Sequence, residues 1–377
     1  MADLDVDLSH ARVEDAALES HGATLRKALQ ALDEAPEGDF LRVMRGSALL
    51  REIRTYCRKR PRRVTDVVQL GVGGSSLGAQ ALCAALLKPR HNQVVRMPGL
   101  RFHFPDNVDP DGFAALLDEL HPRRTLVHVV SKSGGTLETQ AQLYALLEWF
   151  LRKGKPFPMR ENMVVTTGPR GALREFAERE GISLLSFPEN VPGRYSVFTA
   201  SGLLVPALCG VPVGRILTGA RRMEASCRDD GVVGPAGRLA ALHFVHDRQE
   251  GRRIHVELIY ADALLLVGDW FRQIWAESLG KGAHGPTPVI ARGTTDQHSQ
   301  LQLYMEGPDD KLYTILRVNR FRSRVHISRH AKPDAVGGRE LGEIFDAEAR
   351  GTQQALVERG RPVVEIRLRR MTPEAIG

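Results

Sequence analysis

The chain lacks any apolar run long enough to cross a membrane. Hydrophobic residues make up 42% of its 377 positions, but no uninterrupted stretch approaches the ~18 residues that a transmembrane helix needs. The N-terminal residues, MADLD, are acidic, whereas a signal peptide begins with basic residues followed by an apolar stretch. The sequence therefore predicts a cytoplasmic protein with no membrane partner.

Cysteine is scarce and histidine is poorly spaced for metal binding. The four cysteines, Cys57, Cys83, Cys209 and Cys227, are scattered and form no CxxC pair. This is typical of a reduced cytosolic protein with buried thiols, not of a disulfide framework or a zinc site. Two histidine pairs have close spacing, at positions 326 and 330 and at positions 243 and 246. Neither has the intervening glutamate or third ligand of a metal site, so we expect no metal.

Acidic residues are fewer than basic ones, which gives a net charge of +7. Arginine supplies nearly all of the excess and is spread along the chain. The densest basic run, residues 58–63 (RKRPRR), contains a proline and is predicted to be a solvated turn. An anionic small-molecule substrate accounts for the charge as well as nucleic acid would. Charge alone does not decide between them, and no other feature predicts a nucleic-acid partner.

The hydrophobic periodicity predicts helices over most of residues 1–60 and alternating strands and helices after that. Such alternation indicates βαβ units and buried parallel sheets. The first half has predicted strands at residues 66–70, 101–104, 125–130, 163–167 and 183–187. The second half has predicted strands at residues 254–260, 289–291, 312–318 and 363–368. Two α/β halves joined near residues 190–235 are expected, with a ligand at the carboxyl ends of the strands.

Residues 70–78, LGVGGSSLG, form a glycine-rich loop between the first predicted α/β strand and its helix. Glycines let a backbone approach a ligand closely, and the helix N-terminus offers unpaired N–H groups. The loop is not a dinucleotide fingerprint, because Ser76 stands where the third glycine would be, and no Gly-Lys-Ser/Thr follows as in a P-loop. Taken alone, the loop fits a tight strand–helix turn equally well.

A second loop, residues 131–139 (SKSGGTLET), follows the strand at 125–130 and opens the next helix. It contains the hydroxyl residues Ser131, Ser133, Thr136 and Thr139 together with Lys132. Hydroxyls and free amides can surround the oxygens of a phosphate, and the lysine adds positive charge. A capped helix N-terminus is the alternative. Capping does not explain so many hydroxyls, so the loop predicts an anion site.

The second loop resembles the phosphate loop of sugar isomerase (SIS) domains, and the rest of the chain is similar to the glucose-6-phosphate isomerase (phosphoglucose isomerase) family. The matching segments follow one another in the family's order. They are residues 71–75 (GVGGS), 131–139, 192–197 (PGRYSV, with Pro192 in place of the usual glycine), 275–281 (WAESLGK) and 293–298 (GTTDQH).

This resemblance implies an α/β fold of two SIS-type (flavodoxin-like) domains, each a parallel sheet flanked by helices. The expected boundaries are 1–60 for an N-terminal helical segment, 61–195 for the first SIS domain and 196–377 for the second. The implied reaction interconverts glucose 6-phosphate and fructose 6-phosphate through a cis-enediol, with no cofactor or metal. Related alternatives are a dual phosphoglucose/phosphomannose isomerase and a non-catalytic sugar-phosphate sensor.

The resemblance also implies roles for individual residues. Glu277 would be the base, in a helix whose aromatic residues are expected to desolvate it. Arg194 would hold positive charge near the enediolate, and His298 would transfer the proton during ring opening, in the active site of the partner subunit of a homodimer. The residues implied to bind the 6-phosphate are Gly74, Ser75, Ser131, Lys132, Ser133, Thr136 and Thr139.

One family feature has no counterpart in the sequence. Family members end with a Phe-Asp-Gln-Pro-x-Val-Glu-x-x-Lys segment whose lysine assists ring opening. The last lysine here is Lys332, and the chain closes with TPEAIG. Thr-Pro-Glu is a helix-start signal, so the sequence is expected to be short at its C-terminus.

Overall fold

The computed structural model describes residues 4–96, 99–229, 234–332 and 335–377. The chain divides into two compact units. The continuous unit is Leu32–Arg221, and the discontinuous unit combines Met1–Ala31 with Arg222–Gly377. The domain boundaries predicted from the sequence, after residues 60 and 195, stay a prediction.

Each unit contains one five-stranded sheet. The strands are Leu4–His10 (β1), Asp66–Leu70 (β2), Arg101–His103 (β3), Thr125–Ser131 (β4), Met163–Thr167 (β5), Ser183–Ser186 (β6), Ile254–Tyr260 (β7), Thr287–Arg292 (β8), Lys311–Arg320 (β9) and Val363–Arg370 (β10).

Helices connect nearly all of these strands. They are Asp15–Ser20 (α1), Gly22–Glu34 (α2), Asp39–Val43 (α3), Ala48–Lys59 (α4), Leu77–Leu86 (α5), His91–Val94 (α6), Pro110–Glu119 (α7), Leu137–Arg152 (α8), Met159–Asn162 (α9), Ala172–Glu180 (α10), Ala200–Leu208 (α11), Val213–Asp229 (α12), Pro235–Arg248 (α13), Leu265–Leu279 (α14), Thr295–Ser299 (α15), Leu301–Glu306 (α16), Leu341–Glu358 (α17) and Pro373–Ile376 (α18). Short 3₁₀ helices lie at Pro36–Gly38, Gly73–Ser75, Pro122–Arg124, Gly193–Phe198 and Asp262–Leu264. None of the helices formed by the described residues has the length and apolar character needed to span a bilayer.

The sheet of the continuous unit has the strand order β3-β2-β4-β5-β6, and all its neighbours are parallel. Strands β2, β4 and β5 are buried along their whole length, as expected for a sheet covered on both faces by helices. Counted within this sheet, the order is 2-1-3-4-5, which is that of flavodoxin-like folds. The order reverses between β2 and β4, and ligands of such sheets bind at the carboxyl ends of the strands at this switch point.

The sheet of the discontinuous unit has the order β1-β10-β9-β7-β8. Strands β7 to β10 are parallel, whereas β1 pairs antiparallel with β10 at the edge. The predicted α/β fold with helix-flanked parallel sheets is confirmed. Residues 1–60, predicted to be helical over most of their length, include the edge strand β1, whose alternating Val6 and Leu8 pack beside Leu242 and Val364. A single half-exposed edge strand gives a weak periodic signal.

Residues 40–56, within the region predicted to be helical, belong to two helices in the structure, α3 and α4. They are separated at residues 44–47, where Gly46 lies. Glycine lowers helix stability by about 1 kcal/mol relative to alanine.

A buried carboxylic acid lies in β7 under helix α14. Glu257 is 8% exposed, and a Cβ placed on Gly268 of α14 would lie 3.4 Å from its Oε2 atom. Its register neighbours, Ile290 on β8 and Thr314 on β9, are uncharged. Oε2 has no hydrogen-bond partner among the described residues. Burial raises the pKa of Glu257 to about 7, because the charged form has lost its solvation.

This carboxyl should make stability fall with rising pH. Its folded pKa lies above the value of about 4.3 in an unfolded chain, so between these values the folded state binds more protons and the free energy of unfolding decreases as pH rises. We predict that Glu257→Gln raises the free energy of unfolding by about 3–4 kcal/mol at pH 8 and by little at pH 4. Thermal denaturation from pH 4 to 8 measures this. The exposed control Glu119→Gln should follow the parent curve, and a Glu257→Gln curve parallel to the parent would contradict the prediction.

Candidate active site

The second loop of the sequence analysis connects the carboxyl end of β4 with helix α8. Thr136 is the N-cap residue of α8 and has extended backbone angles, but its side chain makes no capping hydrogen bond. Its Oγ1 atom lies 2.9 Å from Oγ of Ser131 instead. The first amides of a helix have no partner within the helix, so these donors are available at the positive end of the helix dipole. The alternative reading of the loop as a side-chain cap therefore does not hold for Thr136, and the anion site stays a prediction.

The loop is held by bonds to its own backbone and to β5. The N–H of Gly134, a residue with φ of +71°, donates to Oγ of Ser131 at 3.1 Å. The hydroxyl of Thr167 donates to the carbonyl of Ser131 at 2.7 Å. Gln140 donates from Nε2 to the carbonyl of Gly134 at 3.0 Å. These bonds fix the loop before any ligand arrives.

The other predicted residues of this loop differ in exposure. Lys132 is half-buried and Ser133 is exposed, and Oγ of Ser133 accepts from the N–H of Gly135 at 3.2 Å. Thr139 lies within the first turn of α8 and is 1% exposed. Its hydroxyl has no hydrogen-bond partner among the described residues. Lys132 and Ser133 are thus open to a ligand from solvent, whereas Thr139 lies on the inner side of the helix.

The first loop, at the carboxyl end of β2, is in backbone contact with the segment that carries Arg194. A Cβ added to Gly74 would lie 2.2 Å from the carbonyl carbon of Gly193 and 2.6 Å from the amide nitrogen of Arg194. The hydroxyl of Ser196 donates to the carbonyl of Gly74 at 2.9 Å. The guanidinium of Arg194 lies 4.8 Å from the ring centroid of Tyr195. The structure thus brings three predicted segments of the continuous unit together at one edge of its sheet.

A buried chain of hydrogen bonds lies beneath the first loop. Gln69 of β2 donates from Nε2 to the carbonyls of Ser75, at 2.8 Å, and Ser201, at 3.0 Å. Its Oε1 lies 3.1 Å from Nδ1 of His128 on β4, whose Nε2 lies 2.7 Å from the hydroxyl of Thr166 on β5. All three side chains are 0% exposed. Burial lowers the pKa of His128 to about 3, so the ring is neutral.

Glu277 lies in the last turn of α14, in the discontinuous unit, and is exposed. Its Oε1 accepts from Nε2 of Gln273 at 2.7 Å. The residues expected to desolvate it are Trp270, Phe271, Ile274 and Trp275. Phe271 and Trp275 pack against His255. Residues 270 and 274 lie on the same side of the helix as residue 277, but the Glu277 side chain is exposed all the same. The expected shielding of Glu277 by this helix is therefore wrong for the chain taken alone.

His298 lies in α15, just after the carboxyl end of β8, and is exposed. The helix is fixed by Asp296, whose carboxylate accepts from the N–H of Arg292 at 2.6 Å and from the hydroxyl of Ser299 at 2.7 Å. Gln297 accepts from the hydroxyl of Tyr260 at 2.6 Å. These bonds hold the short helix and leave the imidazole pointing away from the core.

Glu277 and His298 lie at opposite edges of the same sheet. The indole of Trp275 donates to the carbonyl of Pro286 at 2.8 Å, and Pro286 immediately precedes β8. The end of α14 is therefore near the amino end of β8, whereas His298 follows its carboxyl end. A strand of six residues spans about 20 Å. The discontinuous unit does not bring these two residues together.

Comparison with known proteins identifies the family. The sequence model of the phosphoglucose isomerase family matches residues 49–307. A glucose-6-phosphate isomerase of Rubrobacter xylanophilus is 40% identical over 366 residues, which are 96% of this chain and 84% of that protein. This chain belongs to the phosphoglucose isomerase family. A glucose-6-phosphate isomerase of Thermus thermophilus is 36% identical and covers 96% of this chain and 87% of its own length.

Solved structures agree with the fold of this phosphoglucose isomerase family member. A hypothetical protein of Thermus thermophilus superposes with a TM-score of 0.88 at 34% identity, covering 99% of this chain and 90% of its own. A glucose-6-phosphate isomerase of Chlamydia trachomatis superposes with a TM-score of 0.83 at 19% identity, over 100% of this chain and 81% of its own. At 19% identity, the similarity to the Chlamydia trachomatis protein shows a shared fold alone. The family match at residues 49–307 includes every site residue predicted from the sequence.

Sequence reasoning missed several residues that hold the candidate site of this phosphoglucose isomerase family member. Gln273 is one helical turn before Glu277, but a glutamine in a helix is ordinary. Gln69 and His128 interrupt otherwise apolar strands, VVQL and LVHVV. A polar residue in a fully buried strand needs a hydrogen-bond partner, and this signal could have identified them.

The contact between Gly74 and Gly193 leads to a stability prediction. A Cβ at position 74 meets backbone atoms that cannot move independently, so Gly74→Ala should lower the free energy of unfolding by about 1–3 kcal/mol, as overpacking does. Gly46→Ala is the control, because a Cβ there meets nothing within 4 Å. Chemical denaturation measures both variants. An unchanged midpoint for Gly74→Ala would contradict the observed contact.

Proposed function

We propose that this chain interconverts glucose 6-phosphate and fructose 6-phosphate by moving a proton between C1 and C2 through a cis-enediol. Its family makes it an aldose–ketose isomerase. The observation that carries the choice of a sugar phosphate is the uncapped N-terminus of α8, with the Ser131–Thr136 hydroxyl pair, at the switch point of a flavodoxin-like sheet. Such an N-terminus binds phosphate through backbone amides and the helix dipole.

The 6-phosphate is assigned to the two loops at the carboxyl ends of β2 and β4. Lys132 supplies positive charge, and the hydroxyls and amides of the loop supply directed donors. Binding energy gathered at this non-reacting group would position C1 and C2 for the chemistry. The proposed phosphate-binding residues remain Gly74, Ser75, Ser131, Lys132, Ser133, Thr136 and Thr139.

Glu277 is proposed as the base that removes the proton from C1 or C2 and returns it to the other carbon. The N–H of Gln273 on its Oε1 atom restricts the carboxylate to one orientation, which matters because proton transfer requires a well-placed acceptor. Arg194 is proposed to stabilise the negative charge that develops on the enediolate oxygens, a task that suits a permanently ionised side chain.

His298 is proposed to transfer the proton to and from the ring oxygen when the sugar opens or closes, since imidazole titrates near neutral pH. Glu277 and His298 lie at opposite edges of one sheet, and both are exposed in the chain taken alone. This separation supports a homodimer in which the histidine of each subunit completes the site of the other, a symmetric arrangement. We also propose that this dimer works in the cytoplasm.

A sugar-phosphate sensor would need the phosphate loops but neither Glu277 nor His298. The family membership favours the isomerase over this alternative. Mannose 6-phosphate differs from glucose 6-phosphate at C2, the carbon that exchanges its proton. Activity on mannose 6-phosphate would therefore distinguish a dual-specificity enzyme from an isomerase of glucose 6-phosphate alone.

Replacing the base should abolish turnover. We predict that Glu277→Gln lowers kcat for fructose 6-phosphate by about 10³-fold, within the range for loss of a general base. Conversion to glucose 6-phosphate is measured by coupling to glucose-6-phosphate dehydrogenase and following NADPH absorbance.

Glu358→Gln is a matched control. Glu358 also ends a helix, is exposed, and accepts from the glutamine four residues before it, Gln354, at 2.8 Å. It should leave kcat within about twofold, as expected for a surface site. Full activity of Glu277→Gln would exclude Glu277 as the base.

The shared site predicts complementation between two inactive variants. Glu277→Gln and His298→Ala should each be inactive, but dimers containing one subunit of each would have one complete site. After unfolding and refolding of an equal mixture, half of the dimers are mixed and activity should return to about a quarter of the parent value. The measurement uses the same coupled assay. A mixture that stays inactive, although native mass spectrometry detects mixed dimers, would place both residues in one subunit's site.

A further inference from the structure

The hydrogen-bond chain under the first loop has a fixed direction. Carbonyl oxygens only accept hydrogen bonds, so the amide of Gln69 must present its NH₂ group to Ser75 and Ser201, at 2.8 and 3.0 Å. Its Oε1 then faces His128 and must accept from Nδ1 at 3.1 Å. The two backbone carbonyls thereby determine which nitrogen of His128 carries the proton.

The hydrogen bond at the other end of this network agrees with a proton on Nδ1 of His128. Burial keeps the ring neutral, with a pKa of about 3, so a ring protonated at Nδ1 has an unprotonated Nε2. Nε2 accepts from the hydroxyl of Thr166 at 2.7 Å. Each polar atom in the chain has a partner, which makes the network stable only in this one arrangement.

The network acts on the loop proposed to bind substrate. Gln69 holds the carbonyl of Ser75, and Ser196 holds the adjacent carbonyl of Gly74 at 2.9 Å. With both carbonyls bound, the peptide planes between residues 74 and 76 are fixed. The N–H groups of these two planes, on Ser75 and Ser76, donate to the carbonyls of Val72 and Gly73 at 3.0 Å, so the whole 3₁₀ turn is held in place. A loop held this way has little freedom to lose when a ligand binds.

We propose that His128 is a positioning residue for substrate binding, which acts through Gln69 to fix the Ser75 carbonyl and, with it, the 3₁₀ turn of the first loop. The inference rests on the proposed function, because it assumes that this loop contacts the sugar phosphate. His128 touches neither the substrate nor the reacting atoms. Loss of its Nδ1–H would let the Gln69 amide rotate and free the loop.

The matched variants are His128→Asn and His128→Leu. Asparagine can place an N–H donor near the position of Nδ1, whereas leucine cannot, and both leave space around a smaller side chain. We expect His128→Leu to raise KM for fructose 6-phosphate by about tenfold with kcat within about threefold, as for loss of uniform binding. His128→Asn should restore KM to within about threefold of the parent.

Two further measurements separate positioning from a general structural role. Calorimetry measures the affinity for fructose 6-phosphate in the inactive Glu277→Gln variant, with and without His128→Leu. Adding His128→Leu should weaken the affinity by the same factor as it raises KM. The control His91→Asn alters a different histidine of the same unit, whose half-buried ring bonds the carbonyl of Leu100 at 2.8 Å, and should leave KM unchanged. If His128→Leu does not fold, Thr166→Val and Thr166→Ser test the hydrogen bond between the Thr166 hydroxyl and Nε2 of His128. Serine keeps this hydroxyl and valine does not, so only Thr166→Val should raise KM.

An unchanged KM in His128→Leu or Thr166→Val would overturn the proposal. So would equal KM values for His128→Asn and His128→Leu at similar melting temperatures, because the role would then be packing. A parent protein that neither binds nor converts fructose 6-phosphate would refute the proposed function, and this inference with it. Parent activity with insensitive variants would refute the inference alone.

Discussion

The close approach of two backbones in the continuous unit fixes the position of its proposed anion site. Gly74 and Gly193 touch so closely that neither segment can move without the other, and the Ser196 hydroxyl joins them with a hydrogen bond to the Gly74 carbonyl. This contact puts the Arg194 segment beside the loop that follows β2. The neighbouring loop after β4 is fixed independently, through Thr167 and Gly134. Both loops therefore hold their donors at the switch point of one rigid sheet before ligand arrives.

The discontinuous unit is organised differently, because its two candidate catalytic residues are separated by the length of the sheet. Helix α14 returns antiparallel to the strands and ends with Glu277 near their amino ends. His298 follows the carboxyl end of β8. This is a consequence of the connection between the parallel strands β7 and β8, because the helix must return the chain to the amino end of the sheet, and no side-chain rearrangement changes it. A site that uses both residues needs a second copy of the chain, which is why association belongs to the proposed mechanism.

Much of the fold was predictable from periodicity, since long buried strands alternate with helices in both halves. Strand β1 was not, because it is an edge strand whose pairing with β10 joins positions more than 350 residues apart. The second loop was predictable from its density of hydroxyls, and Arg194, Glu277 and His298 came from family resemblance alone. Glu358 has the same local surroundings as Glu277, so no local pattern could have separated them. The roles of Gln69 and His128 depend on contacts between neighbouring strands, which the sequence does not display.

The central claim is proton transfer at C1 and C2 by a carboxylate base, and isotope incorporation tests it most directly. The protein is given fructose 6-phosphate in deuterium oxide, and the glucose 6-phosphate formed is examined by NMR at C2. A base that holds the proton between removal and return exchanges it with solvent, so deuterium should appear at C2. Conversion with C2 fully protonated would indicate direct hydride transfer between the carbons and would contradict the enediol account.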